Sequence, residues 1–403
     1  MRRFLFVAPP LAGHINPAAA VAAELVERGH SVAWAVPPGA SEGLAAAGAR
    51  IFPCAGPVRI DDRPRELRGV AALKYLWSDF FAPLAHAMAP GVTTAVMEFG
   101  PDLLVVDQQT VAGALVAERL GVPYVTSATT SAELTGSLSG LPKVDQWITD
   151  LLDGLRLGLG DPSARHDLRF SPRLSLVFST PELTGQVVRS PGPLRFFGPA
   201  LGARDGFPGF PWEWVDRDDG RALALISLGT ANAEVGGRFL AECVKAARAR
   251  SDRLRAIVVD PGEALRRQPS DHLDDDVLIL PAVPQLALLA RADVAICHAG
   301  HNTVTEALWH GVPLIVAPIR DDQPVVAAQV TSVGAGVRLR FGRSDAERVG
   351  SALDTVLGDP DFTEAARRIS HSFRAAGGTA AAATCLERIA TEEQENSWHG
   401  LLR

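Results

Sequence analysis

Residues 283–323, VPQLALLARADVAICHAGHNTVTEALWHGVPLIVAPIRDDQ, constrain the fold more than any other part of the chain. They read as a short helix, a buried strand, a helix with a polar mouth, and another strand. At the centre, His298-Ala-Gly-His-Asn-Thr303 follows the apolar run Val294–Cys297 and precedes the helical spacing of Val304, Ala307 and Leu308. Such an order marks a strand-to-helix turn. Gly300 permits a close backbone approach there, and the amides that open a helix lack intrahelical partners, so they can bind an anion such as phosphate. Thr303 and Glu306 also fit a capping box, which would satisfy those amides internally. For this helix taken alone the two readings stand level.

The surroundings favour a ligand. Gln285 opens the preceding helix and Asp322-Gln323 follow the next strand, so several polar sites fall at the carboxyl ends of successive parallel strands. Open α/β sheets bind ligands at that edge.

The same stretch resembles the donor-binding segment of the UDP-glycosyltransferase-like superfamily. The pattern Val-Pro-Gln, His-x-Gly-x-Asn-Thr, Glu-Ala-Leu, Gly-Val-Pro and Pro-x-x-x-Asp-Gln is matched by Val283–Gln285, His298–Thr303, Glu306–Leu308, Gly311–Pro313 and Pro318–Gln323. The resemblance implies a GT-B fold, two doubly wound Rossmann-like α/β domains facing a central cleft. It also implies an activity like that of bacterial natural-product glycosyltransferases of the macrolide and antibiotic type. The nucleotide sugar would be held by Thr230, Val283, Gln285, His298, Gly300, Asn302, Thr303, Glu306, Asp322 and Gln323. Thr230 enters through Ser-Leu-Gly-Thr, a small-residue turn after a strand, similar to the family's Ser-x-Gly-Ser/Thr. Ala282 departs from the tryptophan that many plant members use to stack on uracil, which leaves the choice between UDP- and TDP-sugars open. Val326 stands where an asparagine is often found.

The first half begins with a buried strand, Phe4–Ala8, a loop Pro9–Asn16 and a helix Pro17–Arg28 with proline in its first turn. The strand, loop, helix order recurs through Leu103–Val106, Leu115–Leu120 and Tyr124–Thr126, as in a doubly wound parallel sheet. His14 lies after the first strand and Asp107 ends a later one. Histidine suits general-base work near neutral pH, and a carboxylate behind it would fix its tautomer. On the residues alone the plainer reading is favoured, in which His14 bonds a neighbouring carbonyl and Asp107 caps a turn. The family resemblance assigns His14 as the base through Gly13-His14-Ile15-Asn16-Pro17, with Asp107 assisting.

Leu73, Leu76, Trp77, Phe80, Phe81 and Leu84 follow helical spacing, which points first to core. Related enzymes form the acceptor pocket in this domain, so Trp77, Phe81 and Trp147 are candidate acceptor contacts for an apolar, cyclic or aromatic substrate. Gly198–Gly220 is rich in Gly, Pro and Asp and reads as an interdomain connection. The expected division is an acceptor domain over 1–205, a linker over 206–217, a donor domain over 218–380, and a helix and tail over 381–403 crossing back to the first domain. Trp212 and Trp214 are expected to pin the linker. Asp216-Arg-Asp218 precedes a strand and reads as a solvated turn instead of a metal-diphosphate site.

A net charge of −7 disfavours a nucleic-acid partner, which demands a basic face. The cysteines, at 54, 243, 297 and 385, are too scattered for a metal cluster and read as free thiols in a reducing compartment. The apolar run near Met1 is too short for a signal peptide or a membrane span. The expectation is a cytoplasmic monomer or homodimer without stable membrane insertion or cofactor. It would transfer a hexose from a UDP- or TDP-sugar to a hydroxyl of a small lipophilic acceptor, with inversion and no metal. The rivals are a nucleotide-sugar epimerase of the same fold and a non-catalytic glycosyltransferase helper.

Overall fold

The structure is a computed structural model of the 403-residue chain. It describes residues 1–401 except 47, 57–59, 65, 137, 139, 188–191, 203–206, 230–231 and 266–275, and excludes the side chains of 41, 42, 46, 61, 233 and 394–401. The chain divides into two compact units.

The first unit comprises residues 1–181, 186–202 and 375–403. Its strands are β1 (Arg3–Val7), β2 (Ser31–Val36), β3 (Arg50–Pro53), β4 (Leu103–Asp107), β5 (Tyr124–Ala128), β6 (Ser175–Val177) and β7 (Leu194–Phe196). They form one parallel sheet in the order β3-β2-β1-β4-β5-β6-β7. Near-continuous apolar runs such as LLVV in β4 suit strands covered by helices on both faces. On one face, the helical stretch 69–99 packs Trp77, Phe80, Phe81, Leu84, Met88 and Val92 against Leu104 and Val106. That stretch is long and apolar enough to cross a bilayer by length and composition, but its apolar side is spent on this core. Its middle turn, Leu76–Phe81, is a π-helical segment.

The other face is covered by the helix Ala12–Glu27 and by the chain's last helix, Gly378–Leu401, which packs Ala382, Ala383, Cys385, Leu386, Ile389 and Ala390 into the same cluster. Glu387 ties the two ends of this unit together, accepting from Arg28 Nη1 at 2.9 Å and lying 2.7 Å from His30 Nε2. The side chains of Trp398 and Leu401, and all of Leu402, lie outside the described residues.

The second unit comprises residues 182–185 and 203–374. Its strands are β8 (Ala222–Ser227), β9 (Leu254–Val259), β10 (Val277–Leu280), β11 (Val294–Cys297), β12 (Leu314–Val316) and β13 (Gly336–Arg338), again all parallel, in the order β10-β9-β8-β11-β12-β13. The segment around Trp212–Val215 belongs to this unit. Trp214 and Val215 are buried in its core, and the guanidinium of Arg291 lies 4.6 Å from the ring centre of Trp212 while bonding Asp216 at 2.7 Å. The four cysteines are free and buried, and burial pushes the Cys297 thiol up to about 12.

Candidate functional site

Each sheet reverses its winding at one place. In the first unit that is between β1 and β4, in the second between β8 and β11. Crevices at such switch points, outside the carboxyl ends of the strands, are where doubly wound sheets take ligands.

At the first switch point the structure brings His14 and Asp107 together. The helix after β1 begins at Ala12, five residues before the proline, so His14 stands in its first turn and not in a loop. Pro17 is thus inside the helix, in a position where it withdraws one i→i−4 donor near the end of the segment that carries His14. Asp107 is the last residue of β4, and its side chain is only 2% exposed. His14 Nδ1 lies 2.8 Å from Asp107 Oδ2. The other carboxylate oxygen accepts from the Gln109 amide at 2.9 Å and more loosely from Thr110 Oγ1 at 3.5 Å.

Sequence reading missed a third member, Thr129. Its hydroxyl donates to Asp107 Oδ2 at 2.9 Å and sits 2.9 Å from His14 Nδ1. It follows β5, the strand that pairs with β4, and threonines are too common for the position to declare itself without the fold. A carboxylate acceptor fixes the Nδ1–H tautomer of His14 and presents Nε2 with its lone pair to a reacting group.

At the second switch point β11 ends at Cys297, and the helix His301–Trp309 starts after two residues. Its N-cap residue is Gly300, which has no side chain to cap it. Thr303 lies within its first turn, and the Glu306 carboxylate accepts from Gln285 Nε2 at 2.6 Å, so the capping box does not form. Its absence supports the anion-binding reading of the helix mouth. Ala299 holds a left-handed φ of 63° just before the mouth, a backbone conformation that costs energy in a non-glycine residue.

His298 occupies the turn between strand and helix. A Cβ on Gly229, the residue after Leu228 beyond β8, would come within 2.8 Å of the His298 ring, and one on Gly300 would overlap it outright. The imidazole therefore sits in a cradle that only two glycines allow. Among the described residues, its buried Nδ1 has no hydrogen-bond partner. Burial, aided by the charge of Arg320 and opposed by the Ser227 backbone carbonyl, which accepts from the ring, holds the His298 pKa down to about 4, so the ring is neutral at physiological pH. A buried polar atom without a partner is costly, and an arriving anion's proton or oxygen would relieve it.

Beyond β12, Gln323 Oε1 accepts from the backbone amides of Ile319 and Arg320 at 2.8 and 3.0 Å. This braces the turn that carries Asp322 and leaves the Gln323 amide nitrogen for other partners. Asp321 in that turn has a left-handed φ of 58°. Val283 packs at the edge of the second unit's core, and Asn302 and Thr303 lie partly exposed in the first turn of the helix. Thr230 lies outside the described residues.

Trp77 and Phe81, expected to meet the acceptor, are 1% and 2% exposed, with ring centres 5.4 Å apart in an edge-on pair. They are core side chains, because the helical stripe that contains them faces the sheet. Trp147 is partly buried against the same core. Among the described residues no group of three or more His, Cys, Asp or Glu is arranged to hold a metal ion. A cleft of about 350 Å³ opens between Arg338, Arg340, Arg343 and Arg348, and no expected site residue lines it.

Residues 251–387 match the family described as "Erythromycin biosynthesis protein CIII-like, C-terminal domain". The chain is 28% identical to 4'-demethylrebeccamycin synthase of Lentzea aerocolonigenes, over 96% of this chain and 99% of that protein. It is 27% identical to the NDP-glycosyltransferase YjiC of Bacillus subtilis (strain 168), over 94% of this chain and 95% of the relative. Among solved structures, the glycosyltransferase of kitacinnamycin superposes with a TM-score of 0.77 at 26% identity, covering 96% of this chain and 98% of the other. With two parallel switch-point sheets and the motif series from Val283 to Gln323, these likenesses show a sugar-transferring enzyme of the GT-B fold, similar to natural-product glycosyltransferases.

Proposed function

We propose that this enzyme is an inverting, metal-independent glycosyltransferase that moves a hexose or deoxyhexose from a UDP- or TDP-sugar to a hydroxyl group of a small lipophilic natural product. The observation that carries the reading is the 2.8 Å contact between His14 Nδ1 and the buried Asp107 carboxylate at the first switch point. His14 Nε2 takes the proton from the acceptor hydroxyl as its oxygen attacks the anomeric carbon. The bond to the nucleoside diphosphate breaks with its electron pair, and a single displacement inverts the anomeric centre. Asp107 stabilises the imidazolium that forms, which is the usual work of a carboxylate behind a histidine base.

The second unit is proposed to hold the donor. The helix amides at 301–303, with His298, Asn302, Thr303 and Thr230, meet the diphosphate and stabilise the charge it gains on leaving. Glu306, held by Gln285, accepts from the ribose hydroxyls, and Asp322 with Gln323 holds the sugar. Val283 and the backbone beside it meet the base. The first unit takes the acceptor. Relatives named for rebeccamycin and for a mycarosyl transfer support a natural-product acceptor of this kind. Cytoplasmic location fits the cysteines, all free and buried.

The test is a screen of polyketides, flavonoids and carotenoids with UDP- and TDP-glucose, read by mass spectrometry for an added hexose. His14→Ala should abolish transfer while binding of the nucleoside diphosphate persists. Undiminished transfer by that variant would sink the base assignment, and a new sugar nucleotide formed from donor alone would indicate epimerisation instead.

A further inference from the structure

Asp107 and Thr129 both bear on His14, but they sit on separate turns, 107–110 after β4 and 129–134 after β5. Two hydrogen bonds clamp these turns to each other. Gln108 Oε1 accepts from the Thr130 amide at 3.3 Å, and Gln109 Nε2 donates to Glu133 Oε1 at 2.9 Å. Gln109 is the residue whose amide fixes Asp107 Oδ1, so its side chain and its main chain tie Glu133 to the carboxylate behind the base. Glu133 is anchored in turn. Arg169 Nη1 lies 3.7 Å from its Oε2, and Arg169 is fixed by Asp167 through contacts of 2.7 and 3.0 Å. All of this is enclosed, with Gln108 1% and Arg169 5% exposed and the Glu133 side chain 12% exposed.

We propose that Glu133 is a positioning residue for the transfer reaction, holding the Asp107 and Thr129 turns in register through Gln109 so that His14 keeps its productive orientation. The proposal rests on His14 as the base. Glu133 touches neither His14 nor Asp107 directly. Its leverage is geometric, because a hydrogen-bonded pair at 2.8 Å tolerates little displacement before it is lost. Burial raises the Glu133 carboxyl above the usual range, with Arg169 opposing that rise.

The experiment compares Glu133→Ala and Glu133→Gln in the full-length enzyme, well below the melting temperature of either, with circular dichroism confirming the fold. Glutamine keeps a carbonyl oxygen for Gln109 Nε2; alanine does not. The expected result is a loss in kcat of roughly ten- to hundredfold for alanine, with the donor KM nearly unchanged, and near-complete recovery in glutamine. The deciding readout is independent of turnover. The exchange-protected Nδ1 proton of His14, observed by NMR, should be present in wild type and Glu133→Gln and lost in Glu133→Ala. If that signal is unchanged in the alanine variant, the proposal is overturned whatever the rates do. His14→Ala assayed alongside separates the two ideas, because retained transfer there defeats the base assignment without bearing on the NMR comparison.

Discussion

Substitution of Asp107 by asparagine tests the base pair more sharply than removal of the carboxylate, because the structure says which way the amide must turn. One carboxylate oxygen faces the Gln109 amide at 2.9 Å and the other faces His14 and Thr129 at 2.8 and 2.9 Å. The Gln109 N–H is fixed in the backbone and can only donate, so the asparagine carbonyl must face it. Its NH₂ then points at His14 Nδ1, where only an acceptor is welcome. His14 is driven to the other tautomer, with the hydrogen on Nε2, and the lone pair that should take the acceptor's proton is gone. General-base help is worth roughly 10²- to 10⁴-fold, so kcat should fall by that factor, about 3–5 kcal/mol of transition-state stabilisation. The Thr129 hydroxyl can rotate to accept from the new NH₂, so the fold should lose only about 1–3 kcal/mol. The assay is steady-state transfer with the acceptor found by screening, alongside calorimetric titration with UDP or TDP, which should match wild type because the proposed donor residues lie in the other unit. A variant whose kcat stays within threefold of wild type would refute the tautomer argument.

Three further outcomes follow from the geometry. The unfolded chain takes up a proton on His298 near the ordinary value of 6.5, whereas the folded ring refuses it until about 4; its contribution to stability is complete above 6.5 and lost as pH falls from there towards 4. His298→Gln should flatten that part of the urea-midpoint profile, and parallel profiles for variant and wild type would contradict it. Gly300→Ala places a methyl group on the His298 ring, so nucleoside diphosphate affinity should drop about tenfold or more in a titration, at a stability cost of about 1–3 kcal/mol. Trp77→Ala should cost about 3–5 kcal/mol by denaturant unfolding, as expected of a core tryptophan, whereas a change confined to acceptor KM would restore the ligand role.

Much of the arrangement was legible in the residues because periodicity and order survive without the fold. The buried runs of β1, β4, β8 and β11 stand out as apolar stretches, and the residues at or beyond their ends, His14, Asp107 and His298, fall at the carboxyl edges of the two sheets. The outermost strands β3 and β7 were not legible. RIFP contains a proline and LRF has three partly exposed residues, so neither carries the apolar run that marks a central strand. The start of the His14 helix was misplaced by taking Pro17 as its first turn, when the helix tolerates the proline inside. The capping box at Thr303 and Glu306 failed because Glu306 has a tertiary partner, Gln285, twenty-one residues away in sequence. Thr129 and Glu133 were invisible for the same reason, since their partners come from other strands' ends and no local spacing relates them.

The placement of the last helix has a bearing on how the protein is made. Residues 378–393 cover the face of the first unit to which Ala18, Val21 and Leu25 contribute, with Leu386 fully buried among them. A ribosome delivers every strand of that unit by residue 196, but the covering helix emerges only after the second unit. Until then the nascent chain carries an uncovered apolar strip, each Leu or Ile on it worth about 1.5–3 kcal/mol when finally buried. The second unit, continuous apart from residues 182–185, can close first. Completion of the unit that carries His14 thus waits on synthesis of residues 378–393, which makes chains truncated before residue 378 candidates for aggregation and chaperone capture.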